Sequence, residues 1–421
     1  MNIIVSSRER TVDKILSAAL LPVRELLPSA VIENRCRQLE HQWRDRVFNP
    51  MVTVLVCLWK HFQPGPVSVR ASEDFACSLA GASAARGPRD GKDFCEARAR
   101  LPEAVFQSAA EHVGTLAHRA AAHVFRGLSV ILADGTTVRT PNTQPLEKCF
   151  GRSRNAARKS RSPLMRLVLL VCAGCGAVLN VNIGAYAVSE HALFMGLLAQ
   201  FKPSMLLIAD CGYASFVLLN MVRQRQTHFL VRVSSRMLKT SKRKQGYRDD
   251  MRQWRRPAPS QTVFAHLLEQ LPESMEVRVI ERSIRRAGYR TWTLRIATSL
   301  LDPETYPADE LIELYLRRWR IETALRTLKA HGHMARLTGK TPDVVRKEVH
   351  CALLAHNCVC ALMAQSGEAP ERLSPKRARE IAQIYAGHMA FAPTVKLPGL
   401  FNDMLRMIAT ALQLPQERGP E

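Results

Sequence analysis

The 421-residue chain lacks any apolar run suited to crossing a membrane. The nearest, residues 164–185, carries Arg166, Gly174, Gly176 and Asn180. It divides into two strands about a CAGCGA turn, so no span is expected there. No secretory signal is expected either, because MNIIVSSRERTVDK breaks into charge too early. The 11 cysteines are odd in number and follow no framework spacing. That excludes a disulfide scaffold and predicts free thiols in a reducing cytoplasm. Cys172-x2-Cys175 has no second Cys/His pair at matching spacing, and His331, His333, His350 and His356 make no four-ligand set. All are read as packed or polar residues. Repeats of fixed period are absent. Acidic residues are scarce, 37 against 60 Lys and Arg, leaving a net charge of +23. An excess of that size concerns partners, and nucleic acid is the default. An anionic membrane is the rival, but neither a basic amphipathic end nor a lipidation motif supports it.

A hydrophobic content of 47% suffices for two or three domains with proper cores. Residues 1–120 read as a helical domain and a possible DNA reader, although a packing domain with a solvated basic face explains it equally well. Apolar residues recur at helical spacing over 12–27, PMVTVLVCLWKHF (50–62) is a buried-type helix, and two helices flank Pro102. Residues 82–92 read as a polar loop.

The next segment is expected to be α/β. A short buried strand, Leu128–Ala133, ends in Asp134-Gly135. Residues 139–163 read as a basic loop, then strands follow over 165–172 and 177–186 and a helix over 190–201. A second short strand, Met205–Ala209, ends in Asp210, and 214–225 reads as helix. An Asp closing an apolar strand stands where α/β proteins place ligand-binding groups, though Asp-Gly is also a common turn. If the two strands are neighbours, Asp134 and Asp210 converge, and two carboxylates are the minimum for holding Mg²⁺. Residues 228–300 read as a β-rich insertion. It holds a basic run in which Lys242, Arg243 and Lys244 are candidates for DNA-backbone contact. Trp292 shares one face with Leu294 and Ile296. Core filling is its plain role and base stacking its functional one, with Trp254 as competitor.

Residues 308–331 read as one long helix after Pro303 and Pro307, acidic in its first turn and followed by Gly332. Tyr315, Arg318, Glu322 and Lys329 fall within roughly 60° of one face. A solvated charged face accounts for them as well as a metal-binding carboxylate flanked by phosphate clamps does. Residues 332–421 read as a helical C-terminal region.

The spacing Tyr315-x2-Arg318-x3-Glu322-x6-Lys329 resembles the Y-(2)-R-(3)-E-(6)-K signature of the insertion sequence 4 family of DDE transposases. ADGTT around Asp134 and IADCGY around Asp210 resemble that family's two other acidic motifs, and KTPDVVRKEVHCALLAHN (340–357) and DFCEARARLP are also similar. One departure is Cys211, where the family commonly has Arg. The resemblance implies a ribonuclease H-like catalytic core over 121–331, interrupted by the insertion. It implies that Asp134, Asp210 and Glu322 hold two Mg²⁺ ions, for which Mn²⁺ can substitute. Tyr315, Arg318 and Lys329 would grip phosphates, and Trp292 would stack on a flipped base. The expected function is cut-and-paste transposition. The partners would be double-stranded transposon ends and target DNA, bound by a homodimer in the cytoplasm at the nucleoid. A same-fold nuclease that does not join ends, or a DNA-binding relative impaired by changes such as Cys211, are the alternatives.

Overall fold

The computed structural model describes residues 26–44, 47–63, 67–79, 91–121, 124–153, 161–235, 242–246, 248–285, 291–318, 328, 334 and 337–413. The helical stretch expected over 12–27 falls almost wholly outside them.

The N-terminal part is helical, with α1 (Ser29–Gln38), α2 (Pro50–Phe62), α3 (Val69–Leu79), α4 (Lys92–Arg100) and α5 (Glu103–Ala121). Local chemistry sets these starts. Pro50 occupies the first turn of α2, where its missing N–H costs nothing, and Asn49 Oδ1 accepts from Val52 N at 2.9 Å. Pro102 separates α4 from α5 as expected.

The chain then enters a mixed sheet. Its strands are β1 (Val124–Phe125), β2 (Leu128–Arg139), β3 (Leu164–Cys172), β4 (Val178–Ala185), β5 (Met205–Ala209), β6 (His228–Arg232), β7 (Lys242–Gly246), β8 (Asp249–Arg255), β9 (Ser274–Ile284) and β10 (Trp292–Thr298). The spatial order is β4-β3-β2-β5-β6-β10-β9-β8-β7, with β1 paired to the start of β2. Pairs β2–β5 and β5–β6 are parallel and the others antiparallel. The strands of the 228–300 segment thus continue the central sheet rather than forming a layer of their own. Short helices precede and follow β5: α7 (Glu190–Met195) lies between β4 and β5, and α8 (Phe216–Gln224) joins the parallel strands β5 and β6. The 139–163 stretch, expected as loop, contains α6 (Gln144–Phe150), started by Pro145.

Two apolar cores lie on opposite faces of the sheet. Alternation along each strand decides which residue faces which core. Val130, Leu132, Leu206, Ile208 and Leu230 join one core with α5, α9 (Ala308–Leu316) and α10 (Pro342–Gln365). Ile131, Ala133, Leu207, Ala209, Phe229 and Val231 join the other with α7 and α8. The chain ends in α11 (Pro375–Phe391) and α12 (Leu397–Ala409), which also pack into the first core.

Two buried polar anchors tie distant segments together. Asn357 on α10 donates to Ala110 O and Val178 O, both at 2.8 Å, and accepts from Val178 N at 2.8 Å. Helix α5 comes so near that a Cβ on Gly114 would lie 2.4 Å from Val178 O. Arg278, fully buried on β9, makes a forked pair with Asp249 at 2.6 and 2.9 Å and donates to Tyr306 O at 2.6 Å. It thereby links β8 and β9 to the approach of α9.

Candidate active site

Asp134 and Asp210 lie side by side in the sheet. The parallel register pairs Leu132 with Ile208, and two residues further along each chain comes the aspartate. Neighbouring strands run about 4.8 Å apart. Asp134 shares its parity with Leu132, and the extended Asp210 with Ile208, so both continue the rows facing α9. Strand β2 does not end at Asp134, as the sequence predicts, but runs to Arg139. The cause is β3, which pairs with β2 from Ile131 to Arg139 and keeps the strand extended past the end of β5. Each carboxylate is locally braced: Asp134 Oδ1 accepts from Gly135 N at 2.8 Å, and Asp210 Oδ1 from Gly212 N at 2.9 Å.

Helix α9 carries Tyr315 to the same face. The α-helix is described only to Leu316, not through to His331. Arg317 and Arg318 form a turn in which Arg318 N bonds to Tyr315 O, three residues back. Tyr315 is buried and its phenol is pushed up to about 12, chiefly by burial; Arg318 and Arg232 pull it down and Asp210 raises it. The Arg318 guanidinium lies 6.0 Å from the centre of the Tyr315 ring. Glu322 and Lys329 fall outside the described residues. The structure therefore brings together Asp134, Asp210, Tyr315 and Arg318 of the expected set. Lys242, Arg243 and Lys244 lie on β7 at the far edge of the sheet. Trp254 is buried in the second core, with no hydrogen-bond partner for Nε1 among the described residues. Trp292 is half-buried at the start of β10, opposite Ile284.

Three side chains that the sequence alone does not single out border this site. Arg232 ends β6, the strand beside β5, and its Nη2 lies 3.5 Å from Cys211 Sγ. Contact with Cys211, then the nearness of Tyr315 and Asp210, raise its pKa further and favour the charged guanidinium. A cation thus stands beside the position where the family's Arg is replaced by Cys211. The signal for it was a third charged residue closing an apolar strand. Glu190 brings its carboxylate against Gly135, its Cδ 2.4 Å from where a Cβ on that residue would lie, so a side chain there would displace the carboxylate. His191 Nε2 lies 2.5 Å from Gly212 O. The buried Tyr213 phenol is pushed up by burial and by the charges of Glu190, Asp134 and Asp210. Among the described residues, no three His, Cys, Asp or Glu side chains stand together as a metal-binding group. The Cys172–Cys175 turn is included in that, with both thiols buried and free.

Two carboxylates along neighbouring strands thus lie on the sheet face against which α9 packs, with Tyr315 in its last turn and Arg318 just beyond it. The transposase DDE domain matches residues 126–358, more than half of the chain, and the chain belongs to that family. It is 25% identical over 333 residues to transposase InsG for insertion sequence element IS4 of Escherichia coli (strain K12). That match spans 77% of this chain and 73% of that protein, and groups the chain with the insertion sequence 4 transposases. A piggyBac transposase in a synaptic complex with hairpin DNA aligns with a TM-score of 0.42 at 10% identity, covering 96% of this chain and 86% of that one.

Proposed function

We propose that this transposase cleaves transposon ends and joins them to target DNA by divalent-metal-dependent phosphoryl transfer. The observation that carries the reading is the in-register placement of Asp134 and Asp210 along neighbouring parallel strands, with Tyr315 near enough for the Asp210 charge to act on its phenol and Arg318 beside that ring. The donor set suits Mg²⁺ or Mn²⁺, since both groups are hard carboxylate oxygens. Glu322, a few residues beyond Arg318, would complete it. When bound, such ions activate a water or 3′-hydroxyl and stabilise the leaving 3′-oxygen. The chain's own groups do the holding. Asp134 and Asp210 would anchor the ions. Arg318, Lys329 and Tyr315 would fix phosphates beside the scissile bond, Arg by its planar fork and Lys as a point charge. Trp292, half-buried at the sheet's end, is better placed to stack on a base than the buried Trp254. The order β4-β3-β2-β5-β6, antiparallel and then parallel, supports a ribonuclease H-like core. The partners would be double-stranded inverted repeats and target DNA, held by a homodimer, in the cytoplasm at the nucleoid. Among the described residues no helix is long and apolar enough to cross a membrane.

The test uses labelled duplexes bearing the inverted repeats that flank the coding region, with Mg²⁺. Asp134→Asn, Asp210→Asn and Glu322→Gln are each expected to bind these ends in a gel shift but neither nick nor join them. Wild-type protein that binds without cutting would instead mark the chain as an impaired relative. Cutting without joining would mark a nuclease.

A further inference from the structure

The turn that carries Asp210 is weakly held from within. Residues 211–213 form a single 3₁₀ turn, with Cys211 and Gly212 exposed. The two bonds that close the turn are long, Tyr213 N to Asp210 O at 3.2 Å and Ala214 N to Cys211 O at 3.3 Å, and a 2.7 Å bond from Ser215 N to Tyr213 O follows at its exit. Its shortest bond comes from outside. His191 Nε2 donates to Gly212 O at 2.5 Å, and the N–H of the same Gly212 donates to Asp210 Oδ1 at 2.9 Å.

His191 is itself well anchored. It lies in α7, which Ser189 caps by accepting from Ala192 N at 3.2 Å. Asn182 on β4 fixes α7 to the sheet by donating to Leu193 O at 2.8 Å. The imidazole has two aromatic neighbours, with ring centroids 6.3 Å away at Tyr213 and 6.5 Å away at Phe264. Tyr213 belongs to the Asp210 turn. Phe264 is a buried residue of the segment joining β8 to β9. One side chain therefore touches the Asp210 turn, the sheet-anchored helix and the 228–300 segment.

We propose that His191 is a positioning residue for the Asp210 carboxylate, acting through Gly212. It holds the peptide of Gly212 so that its N–H stays aimed at Asp210 Oδ1, which fixes the carboxylate orientation. The role rests on the reading of Asp210 as a metal-holding acid. Partners that orient a ligating carboxylate typically change metal affinity about 10- to 100-fold when removed.

The experiment measures Mn²⁺ binding to the full chain by the free-Mn²⁺ resonance signal, together with the Mg²⁺ concentration that half-saturates end cleavage. His191→Phe keeps a ring beside Tyr213 and Phe264 but has no donor. His191→Gln keeps an N–H donor without the ring. Asp210→Asn is the control. His191→Phe is expected to weaken Mn²⁺ binding about tenfold or more and to raise the half-saturating Mg²⁺ by a similar factor, with gel-shift affinity for DNA unchanged. His191→Gln is expected to retain most of the metal affinity. The proposal is overturned if His191→Phe binds Mn²⁺ as wild type does while Asp210→Asn does not; the reading of the site then survives. It is also overturned if His191→Gln loses as much as His191→Phe, since the donor would then be irrelevant. Wild-type Mn²⁺ binding by Asp210→Asn would overturn the underlying reading itself. If His191→Phe fails to fold, His191→Gln decides: retained affinity supports the donor role and loss refutes it.

Discussion

Arg232 shows how a missing charge at one position is met from another. Cys211 carries no cation, yet the end of the adjoining strand delivers a guanidinium to within 3.5 Å of its sulfur. Because β5 and β6 are parallel and in register from Leu206/His228 to Ala209/Val231, Arg232 follows directly beside Asp210. Its exposed position leaves it open to a phosphate oxygen. Arg232→Ala is expected to leave DNA binding near normal and to slow single-turnover end cleavage. A hydrogen bond to a charged group is worth about 1.5–3 kcal/mol, which corresponds to roughly 10- to 100-fold in rate. Arg232→Lys should recover only part, since a point charge does not replace a planar fork. Cleavage by Arg232→Ala at the wild-type rate would show that the guanidinium serves the fold and not the phosphate.

At the scale of elements, α10 is the piece on which the molecule's parts converge. Nearly all its residues from Val345 to Met363 are buried, between the N-terminal helices and one face of the sheet. A helix apolar on all sides has no preferred orientation from packing alone, so polar pins set its rotation and height. Asn357 is the deepest of these, with all three of its hydrogen bonds made to backbone groups of α5 and β4. Lys347 is another; it donates to Arg98 O and Ala99 O at 3.0 Å and so satisfies the free carbonyls at the end of α4. Asn357→Ala would strand a buried N–H and two carbonyls. Each unmatched buried group costs about 1–3 kcal/mol, so denaturant titration should show a loss of at least about 3 kcal/mol. A variant with unchanged stability would mean that water replaces the amide there.

For the whole molecule, the +23 charge is a statement about binding rather than folding. The sheet runs from β4 to β7 as one surface, with the acidic pair near its middle and the basic β7–β8 hairpin at one edge. That arrangement sets the Lys242-Arg243-Lys244 strand several strand spacings from Asp210. Replacing these three by Gln is expected to weaken binding to all sequences alike. The salt dependence of the binding constant should flatten by about 0.9 for each phosphate that is no longer neutralised. An unaltered slope would identify them as solvated charge on an edge strand, where Lys also guards against strand pairing.

Some of this protein was legible in its residues alone, and the reason is locality. Pro50–Phe62 and Met205–Ala209 occur within the predicted bounds because cap, breaker and apolar period all act within a few residues. The two Asp motifs and the Tyr-Arg-Glu-Lys spacing pointed to the family for the same reason, as each is a short pattern in the sequence. Pairing was not legible. Strand β2 continues beyond Asp134 because β3, some thirty residues later, supplies the partners that keep it extended. Arg232 and His191 belong to the site because β5 lies against β6 and α7 packs beneath β4. Nothing in their local sequence distinguishes them from a strand-end Arg and a helix-start His. The 228–300 segment joins the core sheet through the β6–β10 register, a pairing between chain segments more than sixty residues apart. Composition and period determined which elements form. Which carboxylate faces which cation was decided only when distant strands chose their neighbours, because hydrogen-bond register and the burial of opposite faces are properties of the assembled sheet.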